Sequence, residues 1–258
     1  MRISLIIPAY NEENYIGGCL DSVFKHAPNE FFEIIVVNNA STDKTAEIAS
    51  SYPQVRVVHE PKKGLPSARE CGRLTASGDF LAYIDADARL HPRWLPLAKK
   101  IFESSSQVVS LSGPARYWDA KAWQQPLLGL SWWVSAPLMY RIVGYMLFGG
   151  HFVVRRDALE KIGGFDRSIS FYGEDTDLAR RLSTVGKTIF RMDFYIYTSA
   201  RRFKKEGIPK TNIIYTLNFL WPVLFNRPFT KTHKDIRLPP TSHEPDISGN
   251  SPDKSVAG

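Results

Sequence analysis

Over residues 3–84 the chain alternates short apolar runs with segments whose apolar residues recur at helical spacing, and few folds accommodate that alternation. Residues 3–7, 34–37, 55–58 and 80–84 read as strands, and 34–37 is apolar throughout, as in a strand covered on both faces. Residues 14–26 set Ile16, Cys19, Leu20, Val23 and Phe24 on one helical face. Ser41 or Thr42 can cap a helix running to residue 50, and residues 67–77 read as a third helix. The unit recurs about every 25 residues, close to the size of a βα pair. The expected fold class is therefore α/β, with a mostly parallel central sheet flanked by helices.

Beyond residue 90 the regularity fades. Residues 108–113 read as a strand, 117–148 as Trp- and Pro-rich helices with exposed apolar faces, and 152–154, 157–162 and 174–185 as a second ordered block. From residue 227 prolines, serines and scattered charges predict a flexible tail.

With 258 residues, 43% hydrophobic and 23% charged, the chain can bury a substantial core and has the composition of a soluble globular protein. Its net charge of +7 favours anionic partners: phosphates, anionic lipid or nucleic acid. The basic residues form no recognisable DNA- or RNA-binding module, so nucleic acid is not expected as a partner. Cys19 and Cys71 lack CxxC partners, which predicts neither zinc nor a disulfide framework and suits a reducing compartment. The apolar run before Pro8 is too short for a secretory signal, so a cytoplasmic location is expected.

The stretch AYIDADARLHP (82–92) ends an apolar strand in two carboxylates, Asp85 and Asp87. Ligands of open parallel sheets bind beyond the carboxyl ends of strands, and adjacent carboxylates there repel unless a cation lies between them. Mg²⁺ or Mn²⁺ holding the phosphates of a nucleotide would satisfy both; a solvated turn capping the next helix would also account for them. His91, before Pro92, is read as structural rather than as a further ligand.

Five other segments accompany that one in order: SLIIPAYNEENYI (4–16), IIVVNNASTDKT (34–45), GLPSAREC (64–71), FGGHFVVRRDALEKIGGFD (148–166) and YGEDTDLARRL (172–182). Together they resemble family 2 glycosyltransferases, inverting enzymes of the GT-A fold that use nucleotide-sugar donors. The resemblance spans residues 1–205. It implies a catalytic domain there; by composition residues 206–227 form an apolar and basic segment suited to contact with a membrane, and 228–258 the flexible tail.

The resemblance also implies roles. Pro8, Ala9, Tyr10 and Asn11 would contact the nucleoside, with Glu12 or Glu13 at the ribose, and Asn38 and Asn39 would face the base where the family often has aspartates. Arg69 would lie near the diphosphate, Asp87 would be the metal ligand, and Asp85 and Ala86 would flank it nearer the ribose. Asp175, with Glu174, would be the base that deprotonates the acceptor. Gly150, Gly164 and Phe165 would lie on the acceptor side. The basic run of Arg201, Arg202, Lys204 and Lys205 suits either a donor diphosphate or anionic lipid; the arginines are read as closing over the diphosphate and the lysines as facing lipid. Glu70 departs from the usual asparagine.

The segment WQQPLLGLSWWVSAPLMYRIVGYMLF and the neighbouring lysines also suit an anionic membrane surface, a groove for a sugar or lipid-linked acceptor, or the core. Two other functions compete. A sugar-phosphate nucleotidyltransferase would carry a glycine-rich turn after the first strand, where this chain has Pro-Ala-Tyr-Asn, and would not need Glu174 and Asp175. A catalytically silent donor-binding scaffold would not need to keep Asp175.

Overall fold

A computed structural model of the chain describes residues 1–130, 132–133, 136–169 and 173–225. The tail expected over 228–258 lies outside the described residues. The predicted alternation forms as β1 (Ile3–Ala9), α1 (Ile16–His26), β2 (Glu33–Asn38), α2 (Thr45–Ser50), β3 (Val55–His59), α3 (Leu65–Thr75) and β4 (Phe80–Ile84). Then come α4 (Trp94–Ser104), β5 (Val108–Ser112), β6 (Ala115–Tyr117), a short 3₁₀ turn (Ala122–Gln124), α5 (Gln125–Leu130) and α6 (Ala136–Val143). The chain continues through β7 (His151–Arg155), α7 (Arg156–Lys161), α8 (Glu174–Ser183), β8 (Lys187–Phe190), β9 (Ile196–Thr198), α9 (Arg201–Glu206) and α10 (Ile208–Phe225). Strands β6, β8 and β9 have three or four residues each, too few to show a period in sequence.

The main sheet runs β3-β2-β1-β4-β7-β5-β8. β1, β2, β3 and β4 pair in parallel, as do β5 and β8, whereas β7 is antiparallel to both β4 and β5. Strands buried on both faces need apolar residues at successive positions, and two core layers account for them. Leu5, Ile7, Val36, Ala82 and Ile84 pack with α1 and α4 on one face. Ile6, Ile35, Val37, Leu81 and Tyr83 pack with α3, α7 and α8 on the other.

After β3 the chain returns to the far side of β1 to form β4, so the strand order reverses between β1 and β4. Carboxyl ends of strands flanking such a reversal open a crevice for ligands. The loop after β4 is tied down on its other side, because Arg89 and Tyr197 exchange backbone hydrogen bonds of 2.7 and 3.2 Å. Through them β9, paired with β6, carries the 198–202 segment to the same edge.

Gly113, after β5, lies where two segments meet too closely for a side chain. A Cβ there would lie 1.8 Å from the Phe194 carbonyl oxygen and 2.4 Å from that of Arg191, both backbone atoms. Gly113→Ala is expected to cost about 3 kcal/mol or more, the range of overpacking that displaces backbone, measured as a lower midpoint in denaturant unfolding.

Candidate active site

Asp85 and Asp87 follow β4 directly, and their environments differ. The Asp85 side chain is 40% exposed and lies 3.8 Å from Arg69. Asp87 is buried; its Oδ1 accepts from the Thr198 hydroxyl at 3.1 Å, and its Oδ2 lies 3.1 Å from Arg201 Nη2. Trp118 Nε1 donates to the Asp87 carbonyl at 3.1 Å, and Ala86 between the carboxylates is buried. Arg201 also forms a two-pronged pair with buried Glu12, at 2.7 and 2.6 Å, and stands 4.5 Å from the centre of the Tyr15 ring. Burial alone would lower the Arg201 pKa, but Glu12 and Asp87 outweigh it and raise it.

Asp119 holds Arg201 in place by capping the turn before α9. It accepts from Ala200 N–H at 2.6 Å and the Ser199 hydroxyl at 2.9 Å, and Lys204 pairs with it at 2.9 Å. Burial pushes the Asp119 carboxyl up, yet these donors hold it below the ordinary range. Arg202 lies 3.5 Å from Glu206 on the same helix. Neither Asp119 nor Thr198 stands out in sequence by pattern; proximity to Arg201 and Asp87 is what identifies them.

Of the residues expected at the nucleoside, Pro8 and Ala9 are buried within β1. Tyr10 beyond them takes a 2.7 Å hydrogen bond from Lys63 Nζ. Asn11 adopts φ 50°, and its Oδ1 accepts from Thr42 N–H at 2.8 Å. Glu12 is committed to Arg201, and Glu13 accepts from Lys44 N–H at 3.1 Å. Asn38 Oδ1 accepts from Ser41 N–H at 3.1 Å. Asn39 braces the 60–64 loop through the carbonyls of Glu60 and Lys62 and the N–H of Gly64.

Arg69, on α3, is 1% exposed and joins the two ends of the cleft. It donates to Glu174, at the start of α8, and to the Gly149 carbonyl, and it faces Asp85. Asp175 next to Glu174 accepts from Gly149 N–H at 3.2 Å and Thr176 N–H at 2.8 Å. Gly150 closes the connection, its carbonyl accepting from Asp85 N–H at 3.1 Å. Burial pushes the Asp175 carboxyl above the ordinary carboxylate range against its N–H donors and Arg69. Burial likewise pushes Glu174 up to about 7, with Arg69 opposing and Asp175 adding to the rise. Glu174 Oε2 is buried with no hydrogen-bond partner among the described residues, which favours the protonated form.

The turn at Gly164 and Phe165, expected on the acceptor side, is held by the neighbour of Arg69. Glu70 accepts from Phe165 N–H at 3.2 Å and pairs with Arg73, and Gly164 adopts φ 77° where a Cβ would lie 2.6 Å from Glu70 Oε2. The acidic residue where the family usually has asparagine thus has a local task. Phe165 packs its ring in the core, 5.3 Å from Tyr83, rather than on an open face. His91 bonds Tyr195 at 2.7 Å and accepts from Arg93 N–H at 3.2 Å. His151 is fully buried beneath Trp94 Nε1, and burial lowers its pKa to about 4.

Asp85 and Asp87 fit a hard divalent cation by oxygen chemistry and by charge: in this cluster the carboxylates Glu12, Asp85, Asp87 and Asp175 outnumber Arg69 and Arg201. No group of three or more His, Cys, Asp or Glu among the described residues forms a complete cage, so further ligands would come from phosphate oxygens and water.

Residues 4–163 match the family model described as Glycosyl transferase family 2, and residues 133–206 one described as N-terminal domain of galactosyltransferase. The chain is 36% identical over 121 residues to the putative glycosyltransferase EpsH of Bacillus subtilis (strain 168), covering 45% of this chain and 35% of that protein. The chain thus spans about a third of that relative's length. Its structure is similar to mannosyltransferase PcManGT from Pyrobaculum calidifontis in complex with GDP-Man and Mn²⁺ (TM-score 0.64, 20% identity, 88% of this chain and 65% of that one). It is also similar to glucosyl-3-phosphoglycerate synthase from Mycobacterium tuberculosis in complex with Mn²⁺, UDP and phosphoglyceric acid (TM-score 0.62, 21% identity, 85% and 77%). At these identities the likeness establishes the GT-A fold.

Because Glu174 has its pKa raised from 4.5 to about 7, the folded chain keeps a proton that the unfolded chain releases. That contribution to stability is complete below pH 4.5 and is lost as pH rises through about 7. Wild type is expected to lose melting temperature relative to Glu174→Gln across this window. A Tm-versus-pH series checks it, a constant difference being the contrary result.

Proposed function

The chain belongs to glycosyltransferase family 2, and from that membership and the site's geometry we propose that it transfers a hexose from a nucleotide-diphosphate donor to a hydroxyl acceptor with inversion. It is a transferase enzyme of the GT-A fold. The observation that carries the finer reading is the buried Arg69, which joins the carboxylates after β4 to those at the start of α8 across one crevice.

In this reading the acceptor hydroxyl approaches Asp175, whose oxygens are fixed by Gly149 and Thr176 N–H groups. Its raised pKa makes it a stronger base than an ordinary aspartate. The hydroxyl proton passes to Asp175, the oxygen attacks the anomeric carbon, and the nucleoside diphosphate leaves from the opposite face. Asp85 and Asp87 would hold Mg²⁺ or Mn²⁺, which supplies positive charge to the departing diphosphate. Asn38 and Tyr10 border the nucleoside end of the crevice.

Calorimetry with a nucleoside-diphosphate panel, with and without Mn²⁺, tests the donor reading. One nucleotide is expected to bind with metal, and Asp87→Ala to lose that binding. Asp175→Asn is expected to keep donor affinity and lower transfer by roughly a hundred-fold or more, the scale of a general base. Equal loss of donor affinity in both variants overturns the division of roles. Pyrophosphate release from a sugar phosphate and a nucleoside triphosphate would instead indicate a nucleotidyltransferase.

A lipid-linked acceptor at the inner face of the cell membrane, in cell-envelope glycan synthesis, is favoured by one surface feature. Trp123, Leu127, Trp133, Leu138 and Ile142 are exposed on the segment that carries α5 and α6, with Lys121 and Arg141 among them. No described helix is long and apolar enough to cross a membrane, so contact would be peripheral. Wild type is expected to sediment with phosphatidylglycerol vesicles at low salt, and Trp123→Ala/Trp133→Ala to reduce the bound fraction several-fold. Equal sedimentation of both proteins is the contrary result.

A further inference from the structure

Arg201 pairs with one of the two Asp87 carboxylate oxygens, and the Thr198 hydroxyl donates to the other. One of its nitrogens, Nη2, serves two carboxylates, lying 2.6 Å from Glu12 Oε1 and 3.1 Å from Asp87 Oδ2. Nη1 completes the fork on Glu12 at 2.7 Å. The arrangement is built from both directions. Glu12 is fixed by its own N–H, which donates to Thr45 Oγ1 at 2.7 Å, and the Arg201 guanidinium rests against the Tyr15 ring. Asp119 holds the backbone immediately before Arg201. A planar fork anchored on one carboxylate can exchange the partner of its remaining N–H without moving its stem.

We propose that Arg201 is a resident counter-cation on Asp87 which a divalent cation must displace, and that the released N–H is taken up by a donor phosphate oxygen. The inference rests on the donor site proposed above and adds a coupling to it. The fork on Glu12 stays intact, and only the second Nη2 hydrogen changes partner, from Asp87 Oδ2 to the diphosphate. Metal alone must break an ion pair in a buried setting without replacing it. Metal and nucleoside diphosphate together replace both halves, since the cation takes Asp87 and the diphosphate takes the guanidinium. Each ligand therefore tightens the other by the same factor, as linkage requires. Lysine would not serve equally well, because an ammonium lacks the planar fork that spans Glu12 and Asp87.

The test is titration of Mn²⁺ alone, read from the electron paramagnetic resonance of free Mn²⁺, then repeated with saturating UDP and with GDP. Arg201→Met removes the competing charge and keeps an apolar stem against Tyr15. Because it leaves Glu12 buried without its partner, Glu12→Gln/Arg201→Met is measured beside it, with folding checked by circular dichroism. Both variants are expected to bind Mn²⁺ alone roughly ten-fold tighter than wild type or more, within the usual range of coupling between sites. The enhancement by nucleotide is expected to shrink by a similar factor. Unchanged or weaker Mn²⁺ affinity in the folded double variant, or an undiminished enhancement, overturns the proposal. The arms separate it from the donor reading. If neither nucleotide binds wild type, the donor reading falls and the Mn²⁺ titration alone decides the competition at Asp87. If nucleotide binds with metal while the variants bind Mn²⁺ as wild type does, the donor reading stands and the competition falls.

Discussion

The architecture of the crevice depends on one charge that water cannot reach. Arg69 is 1% exposed, and a guanidinium removed from solvent must be met by anions and carbonyls or its desolvation goes unrepaid. Glu174 and the Gly149 carbonyl meet it, and Asp85 faces it from the opposite side. Those partners come from α8, from the segment before β7 and from the end of β4, so satisfying a single side chain brings three distant parts of the chain to one place.

The sheet makes this meeting possible. Parallel strands β1, β2 and β4 deliver their carboxyl ends to one edge, and the reversal of strand order between β1 and β4 leaves the crevice there. β7 then runs antiparallel beside β4, so its beginning, rather than its end, lies at that edge. That orientation sets Gly149 and Gly150 beside Asp85 and lets one short backbone segment serve both carboxylate groups: Gly149 N–H to Asp175, Gly150 carbonyl to Asp85 N–H. Arg201 makes the complementary connection on the other flank, joining Glu12 after β1 to Asp87 after β4.

Much of the scaffold was legible because it depends on short-range pattern. The strands at 80–84 and 108–112 and the face of Ile16, Cys19, Leu20 and Val23 on α1 follow from period and apolar content, and they form where expected. Short β6, β8 and β9 escaped because three or four residues pair only where a neighbouring strand is supplied. In the site, the identities of Asp85, Asp87, Glu174 and Asp175 were readable from their segments, whereas their protonation and pairing were not. Arg69 and Asn39 illustrate the difference: each was expected at the donor, and within the protein Arg69 pairs through both Nη atoms and Asn39 through its amide.

By itself, then, the sequence determined an α/β sheet with paired carboxylates after β4 and an acidic start to α8, since helix and strand periods and terminal preferences act over a few residues. Only the tertiary structure decided which cation faces which carboxylate. Glu12 and Arg201 are 189 positions apart, and nothing local in either segment encodes the other. Their pairing arises because the sheet buries both, and a buried charge takes the partner that the fold brings within reach.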